Sequence, residues 1–318
     1  MLFRSILLLV ISNGVHAQIA DIDRLEHDLS RFLSLPRYNS SEKSRARMGI
    51  RQALSSVGLQ TTSHAFIPDE GDDLGVNILA IQRGPHYDTE NDRILVICAN
   101  YDTEEDSPGI DDNGSGVAAV LETARVMTGL DRLYKRNNTI IYAFFDMKQQ
   151  IFPTAARELH EHNHMGDFIQ LIGRVNRDDT VVQHFLAAFA RSISMNTIDW
   201  SFRPWLLLLR LPIQAVNSVQ DIYRMHAYLF ADHSSFFFHS NQDLHFPTIY
   251  ISDTLNRRGI RQYCTYCDGL YMLTEQNLRF LTIIVDSVIR TVIQLSDSDA
   301  KDIVDELYFH QIANHIST

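Results

Sequence analysis

One segment of this chain restricts its fold more than any other. A near-continuous apolar run, Arg93-Ile94-Leu95-Val96-Ile97-Cys98, passes into a polar, acidic loop and then into a stretch with helical periodicity. Such a run is satisfied only as a buried central strand, covered on both faces. The loop spans 100–113 and closes on Asp111-Asp112-Asn113-Gly114-Ser115-Gly116; Val117, Val120, Leu121 and Ala124 then share one helical face within 115–127. A second buried strand is expected at 139–145. Further elements follow: a helix at 155–162, a strand closing near Val175, a helix at 181–193, a strand at 246–251 and a long amphipathic helix at 275–295. Upstream, helices are expected at 19–35, ended by Pro36, and at 41–57, with Ser41 as N-cap and Gly58 beyond its end. Strands at 59–66 and 76–81 come next. Alternating strands and helices predict an α/β fold, with a mostly parallel central sheet and helices on both faces. Sites in such sheets form beyond the carboxyl ends of the strands. The loop after Cys98 and the segment after Phe145 fall there.

Composition narrows the class. The chain has 318 residues and a formal charge of −11, which argues against a nucleic-acid partner. It is 45% hydrophobic and 21% charged, enough to build a full core and too apolar for a disordered chain. No internal repeat is visible, so residues 18–318 are expected to form one domain. An insertion at about 196–223, holding Trp200 and Trp205, is read as lying over one side of the sheet. Residues 1–17 read as a signal peptide: Arg4 lies in a short basic region, 6–11 are apolar but too few to span a bilayer, and Val15-His16-Ala17 suits cleavage. A secreted protein without a transmembrane segment in its mature form is expected, with acceptor triplets at Asn39 and Asn137 for glycosylation. The three cysteines, Cys98, Cys264 and Cys267, exclude a disulfide scaffold. Cys264 and Cys267 are read as a local disulfide or two free thiols, and Cys98 as inert core.

The acidic loop admits two physical readings. Asp102, Asp111 and Asp112 could bind a hard or borderline cation, or the acids could favour the N-terminus of the following helix. His160-Glu161-His162-Asn163-His164 reads as a solvated helix end.

The segment from Val96 to Asp102, with Ser107-Pro108-Gly109-Ile110-Asp111-Asp112-Asn113-Gly114-Ser115-Gly116 and the helix to Glu122, resembles the co-catalytic di-zinc aminopeptidases, a family that also contains the single-zinc glutaminyl cyclases. The resemblance implies their zinc aminopeptidase-like α/β/α sandwich. It also implies metal ligands at five strand-end loops and a Glu that acts as general base. Carried onto this chain, the ligand positions fall on Asn100, Asp111, Gln149, Asp178 and Cys264. The base position falls on Lys148. Asp102 keeps the place of an orienting carboxylate, and Asp112, Asp232 and His233 would line the pocket. Cys264 lies in Tyr263-Cys264-Thr265-Tyr266-Cys267-Asp268, where the family reads Tyr-His-Thr-x-x-Asp.

These substitutions have physical consequences. A protonated Lys cannot take a proton from water, and general-base help of about 10²–10⁴-fold would be lost. Asn100 is a poor zinc ligand beside imidazole; Asp111, Asp178 and Asn100 form an oxygen-only set better suited to a hard ion. Asp111, Gln149 and Cys264 could hold one zinc loosely. The expectation is therefore a non-catalytic relative with no metal, or at most one weakly bound zinc, that binds a peptide or protein through a peptide amino terminus. The alternative is a divergent exopeptidase or glutaminyl cyclase with an altered ligand set; two zinc ions would belong to it. Lys148 is expected near Asp111 or Asp178, its ammonium replacing a metal's charge.

Overall fold

The computed structural model describes residues 18–68, 74–148, 168–196, 205–211, 236, 246–252 and 268–299. Helix α1, Ile22–Arg31, starts where the Asp21 side chain accepts from the Arg24 backbone, and it buries Leu25 and Leu29. Helix α2, Ser40–Ser56, is capped by Asn39 rather than Ser41. The Asn39 side chain accepts from the Glu42 backbone while the Glu42 carboxylate reaches back to Asn39 N–H, a reciprocal box that Ser41 is too far along the chain to make. Gly58, at φ +88°, turns the chain out of the helix.

Strands β1 (Thr61–Phe66), β2 (Gly75–Gln82), β3 (Leu95–Asn100) and β4 (Ile140–Phe145) form a sheet in the order β1-β2-β4-β3. Helix α3, Gly116–Leu130, connects β3 to β4. Strand β5 (Phe168–Arg174) pairs with β6 (Trp205–Leu211) and β7 (Tyr250–Ser252) in a second sheet, and helix α4 (Asp179–Asn196) follows β5. Helix α5, Glu275–Leu295, follows a short 3₁₀ turn at Leu270–Met272.

The α/β class stands, but the sheets are mixed. β3 and β4 are parallel, as are β5 and β6; β1–β2, β2–β4 and β5–β7 are antiparallel. The link between β1 and β2 is too short for the crossover of about a dozen residues that parallel pairing needs. β3 ends its sheet among the described strands, and Val96 is 43% exposed, so the strand expected at the centre is less covered than its sequence implies. Cys98 on β3 is half-buried. Part of the expected insertion is also sheet: Trp205–Leu211 runs parallel to Phe168–Arg174 in continuous register, with Leu206 and Leu208 packed on the second core. An apolar run of this length serves as a strand as readily as a covering element. The expected helix at 155–162 lies outside the described residues.

Helix α5 joins the two cores. Val285, Ile289, Val292 and Ile293 pack into the cluster built on the first sheet, Ile283 and Ile284 into that of the second, and Val288 touches both. Buried carboxylates tie the helices. Glu122 of α3 accepts from Arg24 and Asp21 N–H; Asp28 of α1 pairs with Arg125; Asp286 of α5 accepts from Arg290, Ser192 and the Ile19 N–H. No helix among the described residues is long and apolar enough to cross a membrane.

Ile289 is fully buried at the centre of α5. Ile289→Ala should cost about 2–5 kcal/mol, the usual range for emptying such a site. A urea titration should show the midpoint falling with little change in slope.

Candidate functional site

The site begins at the carboxyl ends of the parallel pair β3 and β4. β3 ends at the buried Asn100, and Tyr101 N–H continues the ladder to the Phe145 carbonyl. The chain then enters a loop that cannot supply its own regular hydrogen bonds. Arg37, fully buried, supplies them instead: its Nε donates to the Tyr101 carbonyl at 2.7 Å, Nη1 to Pro108 at 2.8 Å and Nη2 to Gly109 at 2.7 Å. Nη1 also reaches the Leu33 and Leu35 carbonyls, so the same guanidinium ties the loop to the end of α1. Burial lowers its pKa to about 10, against the pull of Asp268, Asp102 and Asp112, and it stays charged at neutral pH. Gly109 is at φ +64°, and a Cβ there would run into Thr103 and the Arg37 guanidinium. Glycine alone suits that position.

Beyond Gly109 the turn Ile110–Ser115 carries a cis peptide between Asp112 and Asn113. Its backbone is held from across the fold. The buried Asp268 carboxylate accepts Asp111 N–H at 2.6 Å and Asp112 N–H at 3.0 Å, and the Asp268 carbonyl accepts from Ile110. Burial pushes the Asp268 carboxyl above its ordinary value, with the two backbone donors and Arg37 opposing. Asn113 caps α3 by accepting Gly116 N–H at 3.1 Å, while its Nδ2 donates to Asn100 Oδ1 at 2.9 Å. Asn100 Nδ2 in turn faces Asp102, 3.2 Å from Oδ1. Both ends of the Asn100 amide are thus engaged within the loop.

At the end of β4, the buried Asp146 gathers Lys43 at 2.9 Å, the Tyr101 hydroxyl at 2.7 Å and Val76 N–H at 2.9 Å. This anchors the turn into Met147 and Lys148. The Lys148 ammonium lies 3.3 Å from Asp112 Oδ1. Burial alone would pull its pKa down. The charges of Asp112, Tyr250 and Asp102, with the hydrogen bond to Asp112, outweigh that, and the pKa rises.

Lys148 therefore pairs with Asp112, not with Asp111 or Asp178 as expected. Asp178 does not join this cluster through any contact described. It is fully buried, with Arg174 donating through Nε at 3.0 Å and Nη2 at 2.8 Å, and Thr248 N–H donating at 2.9 Å. Arg174 stands four residues before it, which explains the pairing: the turn from β5 into α4 brings them together. A carboxylate so occupied is a poor candidate for a metal ligand. Among the described residues no group of three or more His, Cys, Asp or Glu side chains could hold a metal ion. Gln149, Asp232, His233, Cys264, Cys267 and the histidines at 160–164 lie outside the described residues. The sequence offers no signal for Arg37 or Arg174. For Asp268 it offers one, the last position of the motif that begins at Tyr263.

The comparisons with known proteins bear on the fold. The model of Peptidase family M28 matches residues 77–170. No curated protein matches the chain by sequence. Among solved structures, LapB from Legionella pneumophila is similar with a TM-score of 0.58 at 16% identity, covering 88% of this chain and 75% of that one. The glutaminyl cyclase of Porphyromonas gingivalis is similar at 0.58 and 15% identity, over 88% of this chain and 100% of its own. The aminopeptidase from Aneurinibacillus sp. strain AM-1 gives 0.57 at 14% identity, over 86% and 94%. The resemblance to aminopeptidases and glutaminyl cyclases is thus matched by sequence across the β2–β5 region and by fold across most of the chain.

Two outcomes are expected. Arg37→Met should strand several buried carbonyls, cost about 2–4 kcal/mol in a urea titration and expose residues 101–109 to limited proteolysis. Arg37→Lys should recover less than half of that, because an ammonium cannot reproduce the planar fork. Lys148, whose folded pKa is raised, adds stability that is complete below the ordinary lysine value of 10.5 and is lost as pH rises through the folded value. The stability gap between wild type and Lys148→Met should stay level up to the ordinary lysine value of 10.5 and narrow above it, measured by denaturant midpoints across the alkaline range.

Proposed function

We propose that this is a secreted protein with the aminopeptidase-like fold that has given up metal-dependent turnover and acts by binding a peptide or protein through a peptide amino terminus. The observation that carries this reading is the Lys148–Asp112 pair. A general base must be unprotonated when it meets water, and the charge of Asp112 stabilises the protonated ammonium instead. The resemblance implies zinc, two ions in the aminopeptidases and one in the glutaminyl cyclases; the described residues suit it poorly. Asn100 spends both ends of its amide on Asp102 and Asn113, Asp178 is taken by Arg174, and an ammonium stands beside Asp112. Zinc in proteins is held by thiolate, imidazole and carboxylate groups; the ligand position at Asn100 now offers a carboxamide, and the base position at Lys148 a cation.

The cluster that remains favours a cationic ligand. Three carboxylates, Asp102, Asp112 and Asp268, act on the charges of Arg37 and Lys148, and Asp111 stands on the same turn, so the described acids of this loop outnumber its cations. The amino terminus of a peptide is an ammonium that such surroundings would attract. A second reading has its own support: the loop Asp111-Asp112-Asn113 is fully built, and the similar folds include an aminopeptidase and a glutaminyl cyclase. That reading is a divergent exopeptidase or cyclase, its altered zinc set completed through Gln149 and Cys264.

One set of measurements separates the two. The purified secreted protein should carry substoichiometric zinc and show no turnover of aminoacyl-nitroanilides or glutaminyl peptides. Peptides with a free amino terminus should bind roughly tenfold more tightly than their acetylated forms in fluorescence titrations. Stoichiometric zinc with chelator-sensitive turnover would sink the binding reading.

A further inference from the structure

We propose that the cavity at the end of the first sheet away from the acidic loop is the seat of an N-linked glycan carried by Asn137. This rests on the secretory reading above. The cavity measures about 580 Å³ and is lined by His86, Arg93, Asn137, Asn138, His184 and Asp297, among others. Arg93 precedes β3 and Asn138 precedes β4, so the cavity lies at the amino ends of strands whose carboxyl ends build the loop site. Its volume falls within the range of about 300–1,000 Å³ typical of small-ligand sites. Its described lining mixes the aliphatic Leu295 with carboxamides, imidazoles, a hydroxyl, a guanidinium and the Asp297 carboxylate, so it offers both apolar and polar contact. Those groups include both donors and acceptors, as the hydroxyls and acetamide of an N-acetylhexosamine require, and the apolar part can meet the sugar's C–H faces.

Asn137 is the acceptor residue of Asn137-Asn138-Thr139, and it is exposed on the rim of this cavity. Its Nδ2 donates to Asp297 Oδ2 at 2.6 Å, and its backbone N–H bonds the Asp297 carbonyl. Glycosylation would form a bond between Nδ2 and C1 of the first sugar, using a lipid-linked oligosaccharide diphosphate as donor. The C1–O bond to the diphosphate breaks, the lipid diphosphate departs with the electron pair, and Nδ2 gives up one proton. The second Nδ2 hydrogen remains and can keep its bond to Asp297, which fixes the direction in which the sugar leaves the asparagine. The first sugars then enter the cavity beside His184 and His86. Asn39, the other acceptor proposed, is an exposed helix cap and does not line this cavity.

The test uses the chain from Gln18 onward, secreted behind a foreign leader from cells that make only high-mannose N-glycans. A foreign leader separates this proposal from the question of whether the chain's own first residues direct export. Endoglycosidase H is applied to native and to denatured protein, and the modified sites are mapped by mass spectrometry. The Asn137 glycan should be released at least roughly tenfold more slowly from native protein than from denatured protein, because its cleavage site is covered until the cavity opens. Any glycan on Asn39 should leave at similar rates in both. His184→Ala, a change on a half-buried helix face, should speed native release from Asn137 several-fold. An unmodified Asn137 overturns the proposal, and so does equal release from native and denatured protein.

Discussion

The loop that makes this site possible depends on one buried guanidinium. Arg37 takes up carbonyls from the Tyr101–Gly109 loop and from the end of α1, and among the described residues no carboxylate hydrogen-bonds it in return. A charge is costly to bury, and here several carbonyl dipoles and the field of Asp268, Asp102 and Asp112 offset that cost. The same arrangement dictates glycine at 109, because the guanidinium occupies the space a side chain would need. Asp268 completes the frame from the other side by taking two backbone N–H groups of the turn. The acidic loop is therefore shaped by a cation beneath it and a carboxylate across it, before any ligand is considered.

Charge pairing within the chain governs the rest of the site. Lys148 answers Asp112, Arg174 answers Asp178, and Lys43 answers Asp146. In each case a carboxylate near a strand end meets a cation from its own chain, so its desolvation is compensated without an exogenous ion. Asp146 shows how tightly this is coupled to the backbone: it also holds the Val76 N–H and the Tyr101 hydroxyl, so the strand ends of β2, β3 and β4 meet at one carboxylate.

Much of the fold was legible in the sequence because its signals are local. α5 begins and ends where its apolar period does, β2, β3 and β4 follow their apolar runs to within a few residues, and β1 follows the alternation that ends at Phe66. What escaped was pairing. Whether β2 lies parallel or antiparallel to β4, and whether the Leu-rich run at 205–211 covers the sheet or joins it, depends on partners distant in the chain. The cap of α2 was misplaced by two residues because Ser40, Ser41 and Asn39 are all good caps, and only the reciprocal bond with Glu42 decides among them.

The candidate site divides in the same way. The sequence alone determined the kind of chemistry at stake: an acidic loop at a strand end, a glycine-bounded turn into a helix, and a lysine at the position where the resemblance implies a base. Those are properties of residue type and spacing. Only the tertiary structure decided which charges meet. It brought Lys148 to Asp112 and placed Arg37 and Asp268 beneath and across the loop, although Asp111 and Asp268 are 157 residues apart in the chain. Electrostatic pairing falls off over a few ångströms, and distances of that size between remote residues are set by packing rather than by order along the chain.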